Sequence, residues 1–374
     1  MKIAVLFGGK SGEHEVSITS ATSVVRHIND NIHEIILIAI TKNGVWYLQD
    51  NKQIKAIKED ETAKFKIEES LEKRISLVPG GGTKNGIACN GESLEIDIVL
   101  PILHGTFGED GHLQGLLEMA DIPYCGCGTM ASALTMDKEK TKQVWEAAEL
   151  NVVPYITMCK PGRKEDDEFD EYADSAEEYF GYPMFVKPCC AGSSVGANRA
   201  ENRIELQAAV KEAFKWDEKI IIEECLQARE IECAVTGNIS ATCEDSEITA
   251  YSVGEIAPKH GFYDYDTKYN DPDGAELIIP AKLDNKTMQE IQGLAGTAFG
   301  VLGCSGLARV DFFIDKTDGE IYLNEINTLP GFTSISMFPK LCENAGLKYS
   351  DLIELILKLG IERYNFRKAL KTSR

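Results

Sequence analysis

GLARVDFFIDKTDGEIYLNEINTLPG, residues 306–331, is the stretch on which the fold turns. Apolar and polar residues alternate on either side of DKTDG, a turn-forming run, so it reads as two antiparallel strands. Pairing Ile314 with Glu320 across the turn sets Arg309 opposite Glu325 and places Asp311 diagonally from Glu325. The two-residue period of a strand then puts Arg309, Asp311, Glu325 and Asn327 on one face. Diagonal neighbours lie about 7 Å apart, close enough for two carboxylates to bracket cations. Acid and amide oxygens in this arrangement suit hard Mg²⁺ shared with phosphates. The alternative is a surface charge ladder, but the intervening Val310, Phe312, Ile326 and Leu329 do not explain a polar row on an exposed sheet.

Upstream, KPCCAGSSVG at 187–196 follows the apolar strand PMFVKP. Lys187 ends that strand and enters a glycine-serine loop, where a phosphate-binding lysine belongs; a solvated lysine is the other reading, as it is for Lys138. AGSSVG offers backbone N–H groups and hydroxyls with little bulk, so the backbone can close on an anion. Cys189 and Cys190 sit between lysine and loop as spacers. The chain has 11 cysteines, with no CxxC pair and no clustering of its six histidines beside them. Zinc spacing is therefore absent, and reduced thiols used as small core residues are the simpler reading.

Toward the amino terminus, KIAVLF (2–7), EIILIAI (34–40) and DIVLPIL (97–103) read as buried strands alternating with helical segments, hence a parallel α/β sheet. Ligands bind such sheets at the carboxyl ends of strands, where two glycine loops lie. FGGKSGEHEVS only imitates a P-loop, because position 4 is Ala where that motif needs Gly. Glu15 is either a helix-start acid favoured by the dipole or a carboxylate for a substrate ammonium. His104, in HGTFGEDG, is a general acid or base, or a structural histidine. HGFYDYDTKY at 260–269 is a lid over a charged ligand or an ordinary aromatic loop. Asp137 is a plausible N-cap of the next helix. The acidic run 164–178 reads as a solvated insertion, and the basic RYNFRKALKTSR as a peripheral tail.

A chain of 374 residues implies two or three domains. Lys+Arg is 39 against 60 Asp+Glu, a net charge of −21, which repels nucleic acid and anionic membrane. No membrane nor nucleic acid is expected as a partner, and small molecules are. No apolar run approaches a membrane span or a signal peptide, so a cytoplasmic location is expected.

Taken in order, LFGGKSGEHEVS, LHGTFGEDGHLQG, MDKEKTK, FVKPCCAGSSVG, FYDYDTKY, GLARVDFF and LNEINTLPGFTSIS resemble the D-alanine-D-alanine ligases of the ATP-grasp superfamily, from about residue 2 to 357. The resemblance implies a mixed α/β and α+β protein: a three-domain ATP-grasp fold with an N-terminal parallel α/β domain at 1–126, a central ATP-grasp subdomain at 127–225, and a C-terminal domain at 226–374 with the metal and substrate site. It implies ATP between two antiparallel sheets, with Lys138 and Lys187 on phosphates, Ser193 and Ser194 in the closing loop, Glu223, Glu224 and Leu226 around adenine, and Glu230 on ribose. Asp311, Glu325 and Asn327 would hold two Mg²⁺, with Mn²⁺ as a substitute. Glu15 would take the first ammonium, Arg309 and the Gly331 backbone would form an oxyanion hole, Lys268 would reach the γ-phosphate, and Ser336 would hold a substrate carboxylate. A homodimer is the family expectation.

The implied product is D-alanyl-D-alanine, formed through an acyl phosphate for peptidoglycan synthesis. Two features bear on the second substrate. The family commonly has Ser-Arg-Glu where this chain has Cys189, Cys190 and Ala191, which removes a link from the loop to the lid tyrosine. AGSS is shared with D-alanine-D-serine ligases of vancomycin resistance. Against that, Tyr269 stands where D-lactate-using relatives place histidine, and Met337 where D-alanine ligases usually carry leucine. Other ATP-grasp ligases, or a nucleotide-binding regulator that has lost catalysis, are the remaining alternatives; the intact set Arg309, Asp311, Glu325 and Asn327 argues against the last.

Overall fold

The computed structural model describes residues 1–160, 165–240, 242–258, 274–371 and 373. Its first sheet is centred on strand Lys2–Gly8, which pairs in parallel with Glu34–Ile40 on one side and Ile98–Ile102 on the other. Both faces of these strands are covered, which is why they read as continuous Ile, Leu and Val runs. Trp46–Leu48 adds an antiparallel edge, and Ile75–Leu77, Ile87–Cys89 and Glu92–Leu94 form a small antiparallel sheet beside it. Neither addition carries a strong sequence signal, because each strand is only three residues long.

Two antiparallel sheets follow. One has the order Asn198–Ala200, Met184–Pro188, Lys219–Glu224, Tyr155–Cys159. The other runs Ala275–Ile278, Thr249–Pro258, Ala228–Asn238, Ser305–Asp315, Ile321–Asn327. Residues 225–227 connect them. The parallel sheet and these antiparallel ones make the mixed α/β and α+β class expected from the sequence. Among the described residues, no helix is long and apolar enough to cross a membrane.

The hairpin of 305–327 forms, with a register that differs from the expected one. Ile314 pairs with Ile321, not Glu320, and a bulge follows Asp311. Arg309 therefore faces Asn327, and Asp311 faces Glu325 directly. The bulge absorbs Asn324 as an extra residue, so a count from the turn alone slips.

Two further expectations change. The acidic run is a helix, Glu165–Tyr179, that buries Phe169, Ala173 and Ala176 at helical spacing against the central sheet. Arg203 ties down its outer face through Asp170, Asp174 and Glu177. Residues 363–368 of the basic tail are the end of helix Tyr349–Lys368, whose Arg363 lies 4.1 Å over the Tyr124 ring. Ile353, Ile356 and Leu357 of this helix join Ile3, Val5 and Leu37 in one apolar cluster.

Candidate active site

Strand period and sheet pairing build the first half of the site. Lys187 pairs with Ile221, and Glu223 lies two residues further on the same face. Its Oε2 is 2.6 Å from Lys187 Nζ, and its Oε1 is 2.6 Å from Nζ of Lys142, a fully buried side chain. Lys142 also donates to the Val153 carbonyl at 3.0 Å. Burial works to raise the Glu223 carboxyl, yet the two ammonium groups overcome it and hold the pKa at about 2. Burial likewise works to lower Lys187, and the Glu223 charge reverses that and raises it. Lys187 donates onward to Asn324 Oδ1 at 3.2 Å, which links the two antiparallel sheets.

The second half comes from the hairpin. Arg309 donates to both oxygens of Asp311, at 2.7 and 2.6 Å, and its Nε lies 3.1 Å from Glu232 Oε2. Asn327 Nδ2 donates to Asp311 Oδ2 at 3.0 Å. Burial works against the Arg309 charge, but Asp311 and Glu232 outweigh it and hold the guanidinium charged. Lys138 opens helix Lys138–Ala147, whose N-cap is Asp137 accepting from the Lys140 N–H. Its Nζ donates to the Ala191 carbonyl at 2.7 Å and lies 3.9 Å from Glu325 Oε2. A cleft of about 360 Å³ opens between these groups, lined by Glu109, Lys138, Gly192, Glu325, Asn327 and Thr328.

The glycine-serine loop closes one side. Ser193 and Ser194 have φ of 53° and 57°, a left-handed backbone that residues with a Cβ adopt at a cost and that concentrates at functional loops. Ser193 Oγ donates to Glu13 Oε1 at 2.5 Å. A Cβ on Gly105 would fall 2.7 Å from Glu13 Oε2, so glycine is what lets that carboxylate in. Glu15 goes elsewhere: it is exposed, pairs with Lys42 at 3.0 Å, and the Lys42 hydrogen bond lowers its pKa. Helix His14–His27 begins between the two acids, so Glu13 at the N-cap turns inward and Glu15 outward.

Gly331 and Ser336 are brought together, since a Cβ on Gly331 would lie 2.8 Å from Ser336 Oγ. Ser336 Oγ also accepts from the Thr333 N–H at 3.0 Å. His104 is buried, donates from Nδ1 to the Leu329 carbonyl at 2.9 Å, and places Nε2 3.0 Å from Ser20 Oγ. Its Nδ1 is also 3.7 Å from Glu109 Oε1. Burial raises the Glu109 carboxyl above the ordinary range. Glu224 ends the strand that carries Glu223, Leu226 lies in the connector, and Glu230 stands near enough to Lys187 for its charge to act there. Lys268 and Tyr269 lie outside the described residues.

Asp311, Glu325 and Asn327 form an all-oxygen donor set on adjacent strands, which fits a hard divalent cation. Among the described residues, no three acid, histidine or cysteine groups gather as a closed metal cage. Any such cation would complete its shell with phosphate oxygens and water. In this conformation both Asp311 oxygens accept from Arg309, so Asp311 would have to exchange that partner for the cation.

Sequence reasoning missed Glu13, Lys142, Asn324 and Glu232. MDKEKTK has a third lysine one helical turn after Lys138, and EHE has two candidate acids, so the signals for Lys142 and Glu13 were present. Asn324 and Glu232 depended on a bulge and on an inter-strand pairing.

Two antiparallel sheets facing each other across lysines and paired carboxylates are the architecture of an ATP-grasp enzyme. Residues 2–127 match the family model described as D-ala D-ala ligase N-terminus, and 144–358 that described as D-ala D-ala ligase C-terminus. The chain is 49% identical over its whole length to the D-alanine–D-alanine ligase of Treponema denticola, also covered completely. It is 42% identical to that of Shouchella clausii, over 100% of this chain and 98% of the other. The D-alanine-D-alanine ligase structure from Coxiella burnetii superposes with a TM-score of 0.81 at 33% identity, covering 98% of this chain and 96% of that one. The VanG D-Ala:D-Ser ligase from Enterococcus faecalis gives 0.80 at 36%, covering 96% and 99%. The chain belongs to the D-alanine–D-alanine ligase family.

Proposed function

We propose that the protein joins two D-alanine molecules into D-alanyl-D-alanine, converting ATP to ADP and phosphate, as a step in bacterial cell-wall synthesis in the cytoplasm. The observation that carries this reading is the cleft in which Lys138 faces Glu325 and Asn327, together with the Lys187–Asn324 hydrogen bond that joins the two sheets. The cations for a polyphosphate stand on helix Lys138–Ala147 and on strand Met184–Pro188, the oxygens for its metal ions stand on the facing sheet, and Glu13 at the loop is the acid for an ammonium.

A carboxylate is a poor electrophile. An oxygen of the first D-alanine carboxylate attacks the γ-phosphorus, ADP leaves, and an acyl phosphate forms. The free amine of the second D-alanine attacks the acyl carbon, the ammonium proton is lost, and phosphate departs. In this reading Lys138, Lys187 and Lys268 hold phosphates, while Glu223, Glu224 and Leu226 border the adenine and Glu230 the ribose. Asp311, Glu325 and Asn327 would hold two Mg²⁺, or Mn²⁺ in their place, which when bound would supply neutralisation of phosphoryl charge. Glu13, not Glu15, pairs with the first ammonium, and Ser193 orients Glu13. Arg309 and the Gly331 N–H stabilise the oxyanion, a role worth about 3–4 kcal/mol per donor. Ser194 and Tyr269 belong to the closing elements that exclude water, and Ser336 holds the second carboxylate. Domains at 1–126, 127–225 and 226–374 and a homodimer complete the proposal.

The test is phosphate release across D- and L-amino acids and D-hydroxy acids, with products weighed by mass. Release that depends on D-alanine and yields the dipeptide supports the reading; ATP turnover indifferent to D-alanine overturns it. A second reading, D-serine as acceptor, is favoured by the likeness to the D-Ala:D-Ser ligase and by the AGSS loop. The same mass analysis separates the two.

A further inference from the structure

Lys142 is a fully buried lysine that the reaction scheme does not use. Its ammonium meets one carboxylate oxygen, Glu223 Oε1 at 2.6 Å, and one carbonyl, that of Val153 at 3.0 Å, and lies 5.2 Å over the Tyr155 ring. A buried ammonium is unfavourable unless paired, so the site keeps it for the sake of its partner. That partner is shared: the other Glu223 oxygen is 2.6 Å from Lys187 Nζ. Lys187 alone of the three extends toward the facing sheet, where it donates to Asn324.

We infer that Lys142 is a positioning residue that sets the charge of the nucleotide-phosphate site from behind the sheet, out of reach of the nucleotide. The inference rests on the proposed reading of the cleft as an ATP site. Two ammonium groups around one carboxylate leave one positive charge in excess, and it is expressed at Lys187. Without Lys142, Lys187 and Glu223 would form a neutral pair, and the attraction for a polyphosphate would fall. Without Glu223, two like charges would face each other and Lys187 would lose its anchor. The carboxylate fixes the phosphate lysine in place, and the hidden lysine offsets the charge that this anchoring brings.

The experiment compares wild type, Lys142→Met, Glu223→Gln and the double variant in the full chain. Calorimetric titration with Mg-ATP gives Kd at two salt concentrations, alongside the D-alanine KM and the melting temperature. Lys142→Met is expected to weaken ATP binding by about tenfold or more, in the range for breaking one partner of a desolvated charge pair. Its Kd should respond less to salt than wild type, and the D-alanine KM should stay within about threefold. The double variant restores the excess of one charge but still lacks the Glu223 anchor, so it should recover at least about threefold of the affinity that Lys142→Met loses. A merely structural lysine predicts no such rescue. An unchanged ATP Kd in Lys142→Met overturns the inference, and so does a folded double variant as weak as the single one. If Lys142→Met does not fold, Lys142→Gln, whose amide can still donate to the Val153 carbonyl, takes its place and is read by the same thresholds. Failure of wild type itself to bind ATP would instead refute the reading of the cleft.

Discussion

The Ser193 hydroxyl donates to Glu13 at 2.5 Å, across 180 residues of sequence, and so ties the start of the first helix to the glycine-serine loop. Glu15, two residues on, points to Lys42 at the surface. Glu13→Gln should raise the first D-alanine KM by about tenfold or more, because a charge-assisted contact to the ammonium is lost. Glu15→Gln should change it by less than about twofold, as exposed pairs contribute little. Steady-state kinetics with varied D-alanine decide this; the reverse pattern would return the role to Glu15.

Glu325 faces Asp311 across the hairpin and lies 3.9 Å from Lys138. Glu325→Gln should lower kcat by about a hundredfold or more while leaving the melting temperature within a few degrees. Raising Mg²⁺ should recover part of the loss. Full activity in that variant at ordinary Mg²⁺ would remove the metal assignment.

Glu223 titrates near 2 in the folded protein, against an ordinary 4.5. The folded value is the lower one, so its stabilisation is complete above about pH 4.5 and disappears as pH falls toward 2. The amount is about 3 kcal/mol. Urea unfolding between pH 6 and pH 3 should show the decline, and Glu223→Gln should flatten that part of the curve. An identical acid limb in wild type and variant would contradict it.

Cys189 is buried and burial raises its pKa, while Cys190 is pushed up to about 12. Cys243 is exposed, and its hydrogen bond with Ser246 lowers its pKa. Limiting iodoacetamide near pH 7.5 should therefore modify Cys243 before either member of the pair, as read by peptide mass. The double change of Cys189 and Cys190 to Ala should keep activity within about tenfold.

Met337 is buried, and its Sδ would lie only 2.9 Å from a Cβ at Gly254, so the glycine makes room for it. An apolar wall rejects an added hydroxyl weakly, on the order of a hundredfold or less. With equal D-alanine and D-serine, D-alanyl-D-alanine should predominate with a minor mixed product, and D-lactate should fail near neutral pH. Predominance of the mixed product would place the chain with the D-serine users.

Long apolar strands and ordered motifs are legible in the sequence. KIAVLF, EIILIAI and DIVLPIL became the parallel core because a strand buried on both faces leaves a continuous apolar run. Glu13 was not, because helix starts are uncertain by a residue or two and EHE offers an acid on either side of the true start. The facing pair Asp311 and Glu325 was two residues out of register, one from the closing pair at the turn and one from the bulge, which leaves no mark in alternation until it is seen. Lys142 stands four residues after Lys138 in the sequence, but only the packed sheet shows that it has no solvent to reach.

Helix Tyr349–Lys368 supplies Ile353, Ile356 and Leu357 to the core around Ile3 and Leu37, and its Glu354 meets His33 at 2.9 Å. A ribosome makes the two sides of that core at opposite ends of its task. The amino-terminal sheet must wait, partly uncovered, until the helix emerges, although chains usually fold their first domain early. Nascent-chain arrest before residue 349 should leave the first sheet open to protease, and synthesis through the helix should close it.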